Sequence, residues 1–440
     1  MRLYHDGESV RIASTCRSSG YRIVTGKVTV RFFVFVEAKA GILIRSYSLK
    51  SIYYLWYTKK SMPMGGMLRM AKEKVVCAMS GGVDSSLTAA LLLEQGYEVI
   101  GVTMRLSDEN RDTSCNDRGC CSLSSVDDAR RVCEILGIPH YVMNFREMFQ
   151  EKVIDYFLRD YAKGWTPNPC IACNRYVKFE GLLGKALELG ASYVATGHYA
   201  RIEQENGRYL LKKGVDAKKD QSYALYHLNQ KSLAHFLMPL GGYTKVHTRE
   251  LAETYRLPVA HKPDSQEICF VPNDDYKAYL REKEPEILVP GDIVDQSGRV
   301  VGHHEGVPLY TIGQRKGLGI AATEPLYVTG LNMEKNQVIV GGKDEVFARG
   351  LVAGDLNWIA VDGIAAPLTV SAKVRYGKKE GEAVAYPMEN GRVRVMFKEP
   401  QRAVTPGQSV VFYDGDTVVG GGIIERPLEP VGGSHHPKVL

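Results

Sequence analysis

The stretch that decides the fold is Lys74–Ser86, KVVCAMSGGVDSS. Val75–Met79 is a short apolar run with strand character, and two glycines follow it. Leu87–Gln95 then reads as a helix, with Gly96 as its stop signal. Glu98–Met104, EVIGVTM, is a second strand. Strand, glycine turn, helix and strand make a βαβ unit with a right-handed connection. This predicts an α/β fold with a parallel-sheet nucleotide-binding domain. In the turn SGGVDSS, two glycines let the backbone aim several N–H groups inward. The helix start adds its positive end, and the two together suit a phosphate. The turn lacks the Gly-Lys-Ser/Thr ending of a Walker loop and is not GxGxxG. A plain strand-to-helix turn capped by Ser or Asp is the alternative.

Outward from this unit, 440 residues are too many for one ordinary core, so two or three domains are expected. The composition, 44% hydrophobic and 24% charged, is globular. Nine cysteines are too sparse for a secreted disulfide scaffold. A reducing cytoplasm follows as the expected location, and a close cysteine pair there leans towards metal or catalysis. No apolar run reaches the ~18 residues of a membrane span, so no membrane partner is expected.

The net charge of +6 is misleading. Residues 1–69 hold 12 basic and 3 acidic residues, whereas the remainder holds 44 and 47. A nucleic-acid partner therefore has to be argued from local basic patches and not from bulk charge. The 1–69 segment is a basic, Tyr- and Ser-rich leader with β-like runs such as Val28–Val36. It is expected to be non-native or disordered, with translation starting at Met67 or Met70.

Beyond the leader, residues 70–271 are expected to form the catalytic domain, with helices over Asp127–Leu136, Met148–Lys163, Phe179–Leu189 and Thr248–Tyr255. Residues 272–346 read as a small central domain of short strands and Gly turns. Residues 347–426 carry alternating runs such as LTVSAKVRY and QSVVFYDGDTVVGGGII, the pattern of a small C-terminal β-barrel. Residues 427–440 are a tail.

The cysteines carry the remaining signal. Asn168–Asn174 reads NPCIACN, with Cys170 and Cys173 three positions apart. They are metal ligands, a redox pair, or a nucleophile with a helper. Cys115, Cys120 and Cys121, in SCNDRGCCS, have no fourth ligand at zinc-like spacing and read as loop residues. Cys77 and Cys133 read as buried small hydrophobes. His303 and His304 read as solvated loop residues, and His435 and His436 as part of the tail.

SGGVDSS resembles the loop of the ATP-pyrophosphatase superfamily, enzymes that split ATP into AMP and pyrophosphate and leave a substrate adenylated. By that resemblance Ala78, Met79, Ser80, Gly81, Gly82, Val83, Asp84 and Ser85 hold the pyrophosphate part of ATP, supplied with Mg. Met104 packs near adenine, and Gly197 also approaches the nucleotide. Within the superfamily, five ordered motifs resemble tRNA-specific 2-thiouridylases: TPNPCIACN (166–174), ATGHYAR (195–201), KDQ (219–221), DSQEICFV (264–271) and GQRKGLGI (313–320). The resemblance runs from about Lys74 to about Ile423.

That family implies adenylation of O2 of the wobble uridine in tRNAs of Lys, Glu and Gln type, followed by sulfur insertion. Cys269 receives a persulfide sulfur from a cysteine desulfurase or a relay protein. Cys173 matches the nucleophile position: it either helps free the sulfur from Cys269 or acts alongside it, and a Cys173–Cys269 disulfide is left to be reduced. Asn168, Pro169 and Cys170 match the target-base contacts. His198, Lys219, Asp220, Gln221, Arg375, Tyr376 and Gln408 match tRNA-contacting positions. Arg315 and Lys316 form a basic, Gly-flanked tip suited to phosphate. Positive charge favours the reactive thiolate, and Arg175, Lys178 and a helix beginning near Asn174 stand close to Cys173 in sequence.

At Cys170 the chain departs from the family, whose better-known members carry an aspartate there. Two routes stay open. In one, Cys173 and Cys269 transfer sulfur and Cys170 stands in for the aspartate. In the other, Cys170, Cys173 and Cys269 hold a 4Fe–4S cluster with one open iron. The rivals from other classes are an amide-forming adenylating ligase and a non-catalytic RNA-binding protein. The first needs no paired cysteines, and the intact SGGVDSS speaks against the second.

Overall fold

The computed structural model describes residues 72–106, 123–264 and 268–430, together with the backbone of four short strands ahead of them. Met1–Ala71 and Lys72–Leu440 are separate compact units. In the first, β1 (Arg2–His5) pairs antiparallel with β2 (Val10–Ala13), and β3 (Phe32–Ala38) with β4 (Gly41–Tyr47). Cys16, Met67, Met70, Cys115, Cys120, Cys121, His435 and His436 lie outside the described residues.

The second unit begins with the expected parallel sheet. β5 (Lys74–Ala78) lies between β6 (Glu98–Arg105) and β8 (Tyr193–Ala195). β7 (His140–Asn144) and β11 (Phe236–Leu237) take the two edges. Side chains of β5 alternate between two cores, as a strand's period of two requires. Val75 and Cys77 face Leu87 and Leu92 of helix α1 (Val83–Glu94) and Val132 of α2 (Leu123–Leu136). Val76 faces the other way, towards Phe149, Val177, Phe179 and Leu182. A strand buried on both faces explains the unbroken apolar run. The chain leaves β5 first to one side and later to the other, so the carboxyl end of β5 is a switch point where such sheets bind ligands.

Two long helices on the second face are interrupted by π-helical stretches. α3 runs through Arg146–Phe149, Gln150–Ile154 and Asp155–Ala162. α4 runs through Pro169–Ala172, Cys173–Gly181 and Leu182–Glu188. α4 therefore begins ten residues before the start expected at Phe179. The reason is local. Asn168 caps the helix by accepting from the Ile171 N–H, and Pro169 occupies the first turn, where its missing N–H costs nothing. α5 (Lys245–Thr254) returns to pack against α1.

After α6 (Tyr276–Lys283) comes a four-stranded sheet in the order β13 (Val300–His304), β12 (Gly291–Val294), β15 (Gln337–Gly341), β14 (Tyr327–Asn332). Its core takes in Phe157, Leu158 and Tyr161 of α3, which fastens this domain to the first. His304, expected in a solvated loop, is buried on β13 and bonds the Asn336 carbonyl, because the strand places alternate residues inward.

The last domain is a closed six-stranded barrel. β16 (Phe347–Trp358), β19 (Val393–Arg402), β18 (Gly381–Pro387), β17 (Leu368–Lys373), β20 (Ser409–Asp414) and β21 (Thr417–Pro430) follow one another, and β21 pairs back to β16. Closure leaves no free edge inside the ring. β21 also pairs with β10 (Arg208–Lys213) of the β9 (Ala200–Glu205)–β10 hairpin, which ties the barrel to the first domain.

A second tie is made by Gln408. Its Nε2 donates to the Thr166 carbonyl at 2.9 Å, and the Thr166 N–H donates to the Pro406 carbonyl at 2.9 Å. The barrel thus holds the approach to α4. Replacing Gln408 with Ala leaves the Thr166 carbonyl buried without this donor. The expected loss of stability is about 1–3 kcal/mol, measured as a lower urea midpoint, with faster amide exchange over residues 168–173.

Candidate active site

The turn after β5 is built for an anion. Gly81 adopts φ +70, and a Cβ there would lie 2.2 Å from the Ser125 carbonyl oxygen. Only glycine fits both constraints. Ser85 Oγ donates to the Gly82 carbonyl and accepts from the Ser80 N–H, which fastens the loop from inside. The N-cap of α1 is Gly82, which has no side chain to cap the helix. Gly197 closes the loop from the other side, since a Cβ there would meet the Asp84 carbonyl carbon and the Ser85 nitrogen at 2.8 and 2.9 Å. Met104 lies partly buried on β6, two strands from β8. The expected nucleotide residues therefore gather at the switch point.

The sequence reading missed the cations around this loop. Lys245 Nζ lies 2.8 Å from both carboxylate oxygens of Asp84 and 2.8 Å from Asp264, with its side chain only 10% exposed. Asp264 also accepts from Lys219 at 2.7 Å and from Arg249 at 3.1 Å. Burial pushes the Asp264 carboxyl up, but Lys219 and Lys245 outweigh it and hold it below the usual range. Lys262 Nζ reaches the Gly81 carbonyl at 3.1 Å and Asp128 at 2.7 Å. Tyr199 donates to Asp84 at 2.7 Å. α5 starts at Lys245, three residues before the expected Thr248, and the helix dipole disfavours a cation there unless a carboxylate compensates.

Cys170 and Cys173 fall in one continuous helix. Because α4 starts at Pro169, its positive end falls at Cys170 and not at Cys173, which corrects the helix start placed near Asn174. Arg175 is turned to Asp355 at 2.7 Å, and Lys178 donates to Asn174. Cys173 is buried, 7% exposed, in the apolar cluster against which Phe270 packs. Phe270 meets Phe149, Phe157 and Tyr279 edge-on at 5.3–5.7 Å. These contacts anchor Phe270 and leave its neighbour Cys269 exposed. Among the described residues, no three His, Cys, Asp or Glu side chains are grouped to hold a metal ion. Cys170, Cys173 and Cys269, the residues expected to hold a 4Fe–4S cluster, differ in setting: Cys173 lies in an apolar core, and Cys170 and Cys269 are exposed.

The expected tRNA contacts divide in two. Arg315, Lys316, Arg375 and Tyr376 are exposed. Tyr376 donates to the Asp220 carbonyl at 3.2 Å, and burial, then the charges of Asp220 and Cys170, push its phenol up. The loop carrying Arg315 and Lys316 begins at Gly313, which packs on Ala403 of the barrel. The other residues are engaged inside the protein. Asp220 accepts from the Gly214 and Ser222 N–H groups. Gln221 accepts from the Tyr199 N–H, Lys219 is paired with Asp264, and Gln408 is 7% exposed. His198 bonds Thr196 and stacks near Phe179. Burial, then Lys178, lowers His198 to about 3, so it carries no charge near neutral pH.

A parallel sheet with an SGGVDSS turn at its switch point, ringed by lysines and linked to a cysteine segment, defines an ATP-using α/β enzyme. Residues 73–273 match the tRNA methyl transferase HUP domain, 277–342 the tRNA methyl transferase PRC-barrel domain, and 348–424 the aminomethyltransferase beta-barrel domain. The tRNA-specific 2-thiouridylase MnmA of Acetivibrio thermocellus is 56% identical over 359 residues, 81% of this chain and 100% of that protein. Those of Carboxydothermus hydrogenoformans and Heliobacterium modesticaldum are 55% and 57% identical, covering 82% and 81% of this chain and 99% and 94% of theirs. The chain belongs to the tRNA-specific 2-thiouridylase family. A solved U34-tRNA thiolase, NcsA of Methanococcus maripaludis, matches at 20% identity and TM-score 0.30 over 55% of this chain and 77% of that one, too remote to bear on the site.

Two measurements check this geometry. Gly81→Ala combines about 1–2 kcal/mol of backbone strain with the overlap on Ser125, so ATP affinity measured by equilibrium dialysis should fall about tenfold or more. The second concerns His227, 8% exposed, whose ring nitrogens have no partner among the described residues. Burial, then Arg175, lowers it to about 3. The unfolded chain protonates near 6.5, so His198 and His227 add stability above that pH and lose it as pH falls from about 6.5 towards 3. His227→Phe should flatten the acid limb of stability measured by urea unfolding between pH 7 and pH 4.5.

Proposed function

We propose that the protein replaces O2 of the wobble uridine of tRNA with sulfur at the expense of ATP. The observation that carries this reading is the lacing of the phosphate loop, through Lys245, to Asp264, five positions before Cys269. Activation and sulfur delivery then sit on one frame.

The loop Ala78–Ser85 holds the β- and γ-phosphates. Lys245 and Lys262 offset their charge, and Mg arrives with ATP, held mostly by the phosphates. Uridine O2 attacks the α-phosphorus, and pyrophosphate leaves. The step turns a poor leaving oxygen into AMP. Cys269, exposed between anchored neighbours, takes a sulfane sulfur from a cysteine desulfurase or a sulfur-relay protein. The terminal sulfur of the Cys269 persulfide attacks C2, the C2–O2 bond breaks, and AMP departs. The Cys173 thiolate then attacks the Cys269 sulfur. The persulfide S–S bond breaks, its electron pair stays on the transferred sulfur as the C2 thiocarbonyl, and a Cys173–Cys269 disulfide forms. A dithiol reductant restores both thiols, which suits a reducing cytoplasm.

The wobble base must leave its stack to reach C2. Asn168, Pro169 and Cys170 border the place where it arrives, and the exposed ring of Tyr376 offers a surface for stacking. Arg315, Lys316 and Arg375 are the exposed cations for tRNA phosphate. Lys219, Asp220, Gln221 and Gln408 shape this surface from within. The substrates are tRNAs of Lys, Glu and Gln type.

The test is thiolation of unmodified tRNA by purified protein with ATP and a persulfide donor, read as 2-thiouridine by nucleoside mass spectrometry. Cys173→Ser and Cys269→Ser should each lower the rate by roughly a thousandfold or more, as loss of a covalent nucleophile does. Cys170→Asp should keep most of the activity. An inactive Cys170→Asp protein would rule out its role as a stand-in for aspartate.

A further inference from the structure

β5 ends at Ala78, and the two backbone groups of the next residue, Met79, diverge. The Met79 N–H continues the sheet, donating to the Val102 carbonyl of β6 at 2.8 Å. The Met79 carbonyl turns to a side chain and accepts from the Thr103 hydroxyl at 2.8 Å. Thr103 is 1% exposed and Met79 2%, so water does not compete for this bond. The peptide unit that carries this carbonyl also carries the Ser80 N–H, which donates to Ser85 Oγ at 3.2 Å. One peptide plane at the mouth of the phosphate loop is therefore fixed on both sides, its carbonyl to the sheet and its N–H to the loop.

The Thr103 hydroxyl is fixed in turn. His140 Nε2 of β7 lies 2.9 Å from Thr103 Oγ1. A threonine hydroxyl has one hydrogen to give, and the Met79 carbonyl takes it. His140 therefore donates from Nε2, which sets its tautomer. β7 pairs His140 with Gly101, two residues before Thr103, so the ring has to reach along the surface of β6. Gly101 leaves the room for it. A Cβ there would lie 2.6 Å from Cys133 Sγ, 3.2 Å from Met79 Cγ and 3.5 Å from His140 Cδ2.

We propose that Thr103 and His140 are positioning residues of the phosphate loop: His140 aims the Thr103 hydroxyl, and the hydroxyl keeps the Met79 carbonyl turned to the sheet. This rests on reading the loop as the ATP site. A carbonyl turned into the loop would set partial negative charge against the phosphates. It would also carry the Ser80 N–H away from Ser85, because both groups lie in one planar unit. Without the Thr103 hydroxyl this turned state competes, and ATP has to reverse it in order to bind. The apparent affinity then falls with the fraction of protein left competent. Thr103 is sealed from solvent, so it acts through Met79 and not on ATP itself.

The experiment measures ATP affinity by equilibrium dialysis on the full-length protein, for the wild type, Thr103→Val, Thr103→Ser, His140→Phe and the Thr103→Val/His140→Phe double variant. Thr103→Val keeps the shape and removes the hydroxyl. It should weaken ATP binding by about tenfold, the scale of one buried hydrogen bond left unmade. Thr103→Ser restores the hydroxyl and should bind ATP within about twofold of the wild type. His140→Phe should weaken binding by about threefold alone and add nothing to Thr103→Val, because both act through the same bond. A Thr103→Val protein that binds like the wild type, a Thr103→Ser protein no better than Thr103→Val, or losses that simply add in the double variant overturns the proposal alone. If Thr103→Val does not fold, His140→Phe carries the test, and wild-type affinity in that variant overturns the proposal. ATP that fails to bind the wild type overturns the reading of the loop, and this proposal with it.

Discussion

The ammonium of Lys245 is the point on which the site depends. It is nearly buried, and it satisfies two carboxylates that belong to different parts of the chain: Asp84 at the mouth of the phosphate loop and Asp264 on the way to Cys269. A buried charge is tolerated only when paired, and breaking such a pair leaves the remaining charges uncompensated. Lys219, Arg249 and Tyr199 close the ring around the same two acids. Five separate stretches of sequence therefore meet at one electrostatic node. None can move far without stranding a charge.

The central domain and the C-terminal barrel support this node from outside. The central domain shares its core with α3, whose Phe149 and Phe157 also pin Phe270 beside Cys269. The C-terminal barrel reaches in through Gln408 and Pro406 to hold Thr166, just before the turn that starts α4. One domain thus positions Cys269, and the other positions Cys170 and Cys173.

Much of this was legible beforehand, for identifiable reasons. The run KVVCAMSGGVDSS announced a buried parallel strand and an anion turn because glycine pairs and β-branched runs have few other uses. The barrel was legible from regular alternation. The start of α4 falls before the expected one although its signal, Asn168-Pro169, stands in the sequence: a capping Asn followed by Pro opens a helix. The ion network was not legible, because Lys245, Arg249, Lys262 and Asp264 acquire meaning only when α5 returns beside α1. The fate of Gln408 and Asp220 was hidden for a similar reason. A polar residue near a binding surface reads the same in sequence whether it faces solvent or a neighbouring backbone.

The central claim is that ATP activates the oxygen that sulfur replaces. A single-turnover reaction on tRNA carrying oxygen-18 at O2 of the wobble uridine tests it directly. The account predicts that the label ends in the phosphate of AMP, one atom for each 2-thiouridine formed. Label released to water, or ADP as the nucleotide product, would contradict it.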